Sequence, residues 1–458
     1  MKKFLSPVDA SFLFIEDHDS PAHVAGLQIF SLPVNANADF VTTLVARLRE
    51  TTDVSEPWNL RLGRGSLAKF IPSWVVDSDV DLDYHVRHLA LPHPGGEREL
   101  GMLISRLHSH RLDRRRPLWE CNVIEGLENN RFAIFIKMHH ALVDGISAVS
   151  LMLNPLSVDA DVDTSAPWSS AAMASLKSAT GASTRASNSM VARISSYAKT
   201  AKAFAQLRAD ANGAEGTPLM PMRAPNSVLN KRIVGQRRFA TQQVELDRLK
   251  RLAKASGTSL NDVVLAICSG ALRQFLKESN ALPEKSITAL VPVSLRRPGD
   301  EMGGNSVGGI ITRLGTDIAD PKRRLALIHN DASAGVAHLK NLPSDVAARY
   351  SSLFMLPVLL QLTTGMSGHV SPYFNVVISN VPGPRESLYM MGAKLEGIYP
   401  VSAPTQGQCL NITCLSYAGA LNFGFTACRD AVPGIQKLSL YIIDALLELE
   451  NEFSESKV

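Results

Sequence analysis

The chain has 458 residues, 45% of them hydrophobic and 20% charged, which suits two or more domains with a sizeable core and excludes wholesale disorder. Lys plus Arg number 47 and Asp plus Glu 43, so the formal charge of +4 is too small a bias to imply wrapping around nucleic acid. Five scattered cysteines with no C-x-x-C pair fit a reducing compartment and offer no zinc or dithiol pattern.

The opening MKKFLSPVDASFLFIEDHDS has two lysines, but Pro7, Asp9, Glu16 and Asp17 break any apolar signal core, so a chain that starts here and works in the cytoplasm is expected. Residues 1–156 read as mixed strands and helices, with strand alternation at 23–30 and 131–139. Residues 157–225 are rich in Ala and Ser and punctuated by Pro167, Pro218, Pro221 and Pro225, as in a partly helical connector. Within it Met190, Ile194, Tyr197, Ala201 and Phe204 recur at spacings of four and three, with Arg193 nearby and Lys199 and Lys202 off that stripe. Two readings of this basic amphipathic helix stay open: docking on the second domain, or resting on anionic lipid.

Residues 226–458 return to a mixed pattern. Helices are predicted near 245–255 and 259–277 and a strand at 287–295, followed by mostly helix to about 364. A strand at 374–380, a hairpin of 410–417 and 421–428 turning at Ala418 and Gly419, and a last helix over 434–450 complete a second α/β half. The longest apolar run, 353–362, is about half the roughly 20 residues that a spanning helix needs, so it is expected to be a buried helix and any membrane contact to be peripheral.

The segment RFAIFIKMHHALVDGISAVSLML, residues 131–153, carries the chemistry. Alternation along the strand delivers His139 and His140 to its end on opposite sides, so one alone can face a given cleft. Asp144 and Gly145 precede an apolar helical run, which places the carboxylate at a helix start. Moving a proton from an alcohol near neutral pH suits imidazole, with its ordinary pKa of about 6.5. Core histidines are the alternative; a metal pair is disfavoured because the rings diverge and no third ligand has suitable spacing.

His139 to Gly145 matches the HHxxxDG signature of the condensation-domain and CoA-dependent acyltransferase superfamily. With PAHVAG (21–26), LDRRRPLWECNVIEG (112–126, holding Pro117-Leu118-Trp119), LNDVVLAICSG (260–270), VPVSLR (291–296) and FNVVISNVPGP (374–384), nearly the whole chain resembles the bacterial wax ester synthase/acyl-CoA:diacylglycerol acyltransferase (WS/DGAT) family. Ala22 stands where that family usually has Met. The resemblance implies an α/β (α+β) fold of two chloramphenicol-acetyltransferase-like domains, 1–156 and 226–458, with a tunnel active site at their interface. It implies direct transfer of a fatty acyl group from acyl-CoA to a fatty alcohol or diacylglycerol, without cofactor or metal. His140 is then the general base, His139 a supporting residue, Asp144 the holder of the loop through a buried salt bridge, and Gly145 the site of close packing at the helix start. The expected setting is a cytoplasmic protein associated peripherally with the inner membrane face or lipid inclusions. Rival readings are a condensation-domain-like peptidyl transferase and a non-catalytic lipid-binding protein on the same scaffold.

Asn261-Asp262 has two readings: a capping box with Ser259, or, as the family's motif suggests, Asn261 on the oxyanion side. Trp119 is expected in the core, with a tunnel wall as the alternative, and Asn380 is expected to be architectural. The arginine clusters 114–116, 237–238 and 296–297 are either solvated or placed to meet CoA phosphates.

Overall fold

A computed structural model describes residues 3–65, 70–180, 200, 202–209, 211, 213–294 and 307–454. The first half runs β1 (Lys3–Phe4), α1 (Pro7–Ile15), β2 (His23–Ser31), α2 (Phe40–Arg49), β3 (Leu60–Leu62), β4 (Ser73–Val76), α3 (Leu82–His85), β5 (Val86–Ala90), α4 (Glu97–Ser109), β6 (Trp119–Leu127), β7 (Arg131–His139), α5 (Gly145–Leu153) and α6 (Ser170–Thr180). The second runs β8 (Arg237–Glu245), α7 (Leu246–Ser256), α8 (Leu260–Glu278), β9 (Thr288–Ser294), β10 (Val307–Arg313), α9 (Pro321–Lys340), α10 (Ser344–Thr363), β11 (Val376–Val381), β12 (Tyr389–Met390), β13 (Ala393–Val401), β14 (Leu410–Tyr417), β15 (Ala420–Cys428) and α11 (Gln436–Ser454).

Two six-stranded mixed sheets result, in the orders β12-β13-β2-β7-β6-β5 and β10-β9-β11-β14-β15-β8, beside a small β1-β4-β3 sheet. The strand β7 is buried on both faces: Phe132, Ile134, Ile136 and Met138 pack with residues of α2 and α5, and Ala133 and Phe135 with Leu100 and Ile104 of α4. This is why the strand reads as a nearly unbroken apolar run. Its buried charge, Lys137, donates to the carbonyls of Leu107 (3.0 Å) and His110 (2.9 Å) at the end of α4 and pairs with Glu120 at 3.2 Å. A cation is favoured there because the last helical carbonyls lack intrahelical partners.

The predicted hairpin is β14–β15, with Ala418 (φ 44°) and Gly419 (φ 84°) forming the two-residue turn that such hairpins prefer. Among the strands that depart from the sequence reading are β10 and β13. The strand β10 lies where helix was expected, because its pairing with β9, from Val307↔Ser294 to Arg313↔Thr288, outweighs the weak signal of a glycine-rich segment. The strand β13 was not anticipated: a bulge between Leu395 and Gly397 interrupts its alternation.

That strand ties the lobes together. It pairs antiparallel with β2 of the first sheet and packs against β14 and β15 of the second. The buried Tyr417 hydroxyl donates to the Leu395 carbonyl at 3.0 Å and accepts from the Leu388 amide at 2.7 Å. On the other side of the first sheet, Ser105 and Ser109 of α4 accept from the amides of Phe239 (3.0 Å) and Arg237 (2.9 Å) in β8. Of the connector helix, Met190, Arg193, Ile194, Tyr197, Lys199 and Ala201 lie outside the described residues. The described part, 202–209, is docked: Phe204 stacks on Tyr350 of α10 at 4.5 Å, and Ala203 and Leu207 join the second core.

A Cβ at Gly424 of β15 would stand 1.8 Å from the Pro400 carbonyl oxygen of β13, so that backbone approach excludes every other residue. Gly424→Ala should lower stability by about 1–3 kcal/mol or more, as overpacking of a tight site does. A thermal or urea unfolding curve of the variant beside the parent checks this, and an unchanged midpoint would deny that β13 is clamped at Pro400.

Candidate active site

The histidine loop is held by backbone bonds from three directions. The His139 amide donates to the Leu118 carbonyl (3.0 Å), the His140 amide to the Ala22 carbonyl (2.9 Å), and the Leu142 amide to the His139 carbonyl (2.9 Å). As strand geometry requires, the two rings part. His139 is buried, and its Nδ1 accepts from the Ala141 amide at 3.0 Å, so in the neutral ring the proton sits on Nε2. That Nε2 faces Glu16 Oε1 at 3.7 Å. His140 remains partly exposed; its ring stacks on Phe12 of α1, centroids 4.0 Å apart and planes 8° apart, and its Nδ1 is buried with no hydrogen bond among the described residues. Enclosure of the ring, with His139 beside it, holds His140 below the ordinary imidazole value against the pull of Asp144 and Asp9.

Glu16, which the sequence showed only as a charge at the end of an apolar stretch, is a hub. Its Oε2 accepts from Arg114 Nη2 (2.6 Å) and Nε (2.9 Å), and its Oε1 from the Ala22 amide (3.2 Å). Arg114 also donates to the Leu13 carbonyl at 2.8 Å and so fixes the end of α1, the helix that carries Phe12. Burial alone would raise the Glu16 carboxyl, but His139 and Arg114 outweigh it and bring it down to about 2. Behind His139, its cross-strand neighbour His23 donates to the His108 carbonyl at 2.8 Å, and His108 donates to the Ser402 carbonyl at 2.9 Å just beyond β13. Burial keeps both rings neutral, His108 down to about 3.

Asp144 and Gly145 are where the motif placed them, with different work. Asp144 has no ion pair among the described residues; it caps α5, its Oδ1 accepting from the Ser147 amide at 2.7 Å, and it is only partly buried. The expected buried salt bridge is therefore replaced by a helix cap, in which the partly exposed carboxylate accepts a backbone amide in place of a cation. Gly145 is exposed and a Cβ there would meet nothing within 4 Å, so the close packing expected of it is absent.

Asn261 is not brought to the histidines by any contact among the described residues. It lies in the first turn of α8, which is started by a reciprocal box: the Asp262 amide donates to Ser259 Oγ (3.1 Å) and the Ser259 amide to Asp262 Oδ2 (2.9 Å). Asp262 also bonds His329 Nδ1 at 2.8 Å. Trp119 is core, stacked on His85 and Trp168 and donating to the Trp58 carbonyl at 2.6 Å. Arg237 is buried on the carbonyls of Asp19 and Val234, and the 296–297 pair lies outside the described residues. The apolar run expected to be buried is half-exposed: α10 buries Phe354 and shows Leu353, Leu356 and Leu360 outward, while packing against α1. Among the described residues, no group of three or more His, Cys, Asp or Glu is placed to hold a metal ion.

Two sheets bridged by a crossing strand, with an HHxxxDG loop at the end of a central strand, define the class of condensation-type acyltransferases. Residues 5–264 match the wax ester synthase/diacylglycerol acyltransferase catalytic domain and residues 303–450 the WS/DGAT C-terminal domain. A putative diacylglycerol O-acyltransferase of Mycobacterium tuberculosis is 41% identical over 97% of this chain and 96% of its own, and the O-acyltransferase WSD of Acinetobacter baylyi 38% over 99% and 98%. The solved wax ester synthase/diacylglycerol acyltransferase of Marinobacter aquaeolei VT8 superposes with a TM-score of 0.80, at 37% identity, over 99% of this chain and 100% of that one. The starter condensation domain of rhizomide synthetase, 14% identical, shares the fold at a TM-score of 0.54 over 98% and 94%. The chain thus belongs to the wax ester synthase/diacylglycerol acyltransferase family and is an O-acyltransferase.

Two variants test the site's scaffolding. Asp144→Ala should cost about 0.5–2 kcal/mol, the worth of a helix cap, while Asp144→Asn keeps a capping oxygen and stays near neutral; a large loss in both, seen in urea unfolding, would restore the ion pair. Glu16→Gln should be less stable than the parent by an amount that depends on pH. A carboxyl lowered on folding stabilises above its ordinary value of 4.5, and the gain fades as pH falls toward about 2. The gap between parent and variant is therefore full at neutral pH and closes on acidification through that window; a gap that does not move with pH would mean the Glu16 charge is idle.

Proposed function

We propose that this chain moves a fatty acyl group from acyl-CoA to a long-chain alcohol or diacylglycerol, with His140 as general base. The acceptor hydroxyl gives its proton to His140 Nε2 as its oxygen attacks the thioester carbonyl; the tetrahedral intermediate collapses, the carbon–sulfur bond breaks, and the imidazolium returns the proton to the departing CoA thiolate. Transfer is direct, with no acyl-enzyme and no cofactor. The observation that carries this reading is the asymmetry of the pair: His139 is buried on Ala141 and Glu16, and His140 alone keeps an open edge. Its lowered basicity favours the neutral, proton-accepting form, and Phe12 holds the ring flat against α1. His139 supports the loop. The negative charge of the intermediate needs a donor, and Asn261 is our assignment for it from the motif alone.

Both acceptors partition into lipid, so the enzyme must work at a lipid surface. Among the described residues no helix is long and apolar enough to cross a membrane, and peripheral association with a membrane or lipid inclusion is part of the proposal.

The experiment is a product assay with palmitoyl-CoA against a panel of fatty alcohols and diacylglycerol. His140→Ala should lower turnover by roughly 10² to 10⁴, the usual worth of a positioned base, with its unfolding midpoint near that of the parent. The acid limb of kcat/KM should lie below 6.5, since the free imidazole value is lowered by burial. Folded His140→Ala protein with parental turnover, or a limb above 6.5, would remove His140 from the chemistry.

A further inference from the structure

Beside the active site, one face of the first lobe is apolar where a water-facing surface is expected to be polar. Phe4 of β1 is 67% exposed, Phe14 of α1 52%, and Phe70 and Ile71, before β4, 76% and 57%. These residues share a neighbourhood. Phe4 pairs with Ser73, the Leu5 amide donates to the Pro72 carbonyl at 3.2 Å, and Phe14 and Pro72 line one cleft together with Arg64, Arg114 and Arg115. Large apolar patches rimmed by polar groups mark surfaces that meet another apolar phase.

The charges around it choose the phase. Three arginines in the cleft face two carboxylates, Glu16 and Asp113, which pair with Arg114 and Arg115. Arg64 is exposed and, among the described residues, bonds only the Arg115 carbonyl; Lys3, exposed on β1, has no carboxylate partner among them. Asp9, partly exposed on α1, is an opposing acid, and it is engaged by Ser6. Apolar side chains inside a rim of unneutralised cations fit an anionic lipid surface. Position strengthens the fit, since α1 shows Val8 and Phe14 to solvent and lays Phe12 on the His140 ring.

We infer that the face formed by β1, α1 and the turn before β4 is the surface through which this protein docks on anionic lipid, setting the His140 side of α1 at the interface where the acceptor resides. The inference rests on the acyl-transfer reading for its purpose and on exposure and charge for its location.

Full-length protein is sedimented with phosphatidylcholine vesicles and with vesicles containing phosphatidylglycerol, at low and high salt. Replacing Phe14, Phe70 and Ile71 together with Ser should lower the partition coefficient tenfold or more, because three large apolar side chains no longer enter the lipid. Arg64→Gln should lower it about fivefold at low salt on the anionic vesicles, fading at high salt. Leu440→Ser removes an equally exposed leucine from α11, away from this face, and should change nothing. All variants should keep parental turnover with hexanoyl-CoA and hexanol, both dissolved in water, which also certifies their folding. Vesicle binding by the triple variant equal to the parent's overturns the proposal. So does a triple variant that turns a dimer into a monomer on gel filtration with binding unchanged, since a second copy then covers the face. A parent that binds as expected but makes no ester in the palmitoyl-CoA product assay refutes the proposed reaction and leaves the docking face standing.

Discussion

Neighbouring side chains on a strand point to opposite faces, and at the end of β7 this rule divides two adjacent histidines into different environments. His139 enters the space between the strand end and Glu16, where its Nδ1 is committed to the Ala141 amide. His140 turns the other way, onto Phe12, and stays partly open. Much else around the site serves to hold that division: the carbonyls of Leu118 and Ala22 secure the two amides, and α5 is started by Asp144 immediately after the turn.

The first lobe is tied against shifting on the second. The strand β13 prevents this by belonging to the first sheet through β2 while its Pro400 carbonyl presses on Gly424 of the second. His108 reaches the Ser402 carbonyl just past the same strand, and α4 is bonded to β8, so the buried histidines behind the site are anchored to the lobe junction. Helix α1 adds a further tie, packing on α10 while Arg114 holds its last turn.

Electrostatics near the site is spent mostly on structure. Arg114, Arg115 and Arg116 are engaged by Glu16, Asp113 and Asp81, and Arg237 by backbone carbonyls. Pairs of this kind, buried only at Glu16, exposed at Arg115 and partly exposed at Arg116, organise loops while neutralising the arginines. The result is an enclosed neighbourhood for His140, in which burial lowers the ring's basicity against the pull of Asp144 and Asp9, and a cationic rim farther out at Lys3 and Arg64 beside the small sheet.

Local signals sufficed for much of this. The alternation from 131 to 139, the Asp-Gly helix start, the Ala418-Gly419 hairpin and the Ser259–Asp262 box are each decided by residues a few positions apart, and each stands as read. The HHxxxDG spacing likewise carried the superfamily, and the further segments taken with it the family. What the sequence could not decide was partnership at a distance. Glu16 meets Arg114 across 98 residues and His139 across 123, β13 crosses to a sheet begun more than 350 residues earlier, and the arginines find carboxylates that no spacing announces. For the same reason Asp144 became a cap instead of an ion pair, and α10 half-exposes leucines expected to be buried. Strand, turn and helix start are set by short-range backbone geometry, whereas burial and charge pairing depend on which surfaces the folded chain brings together, and that was decided only in three dimensions.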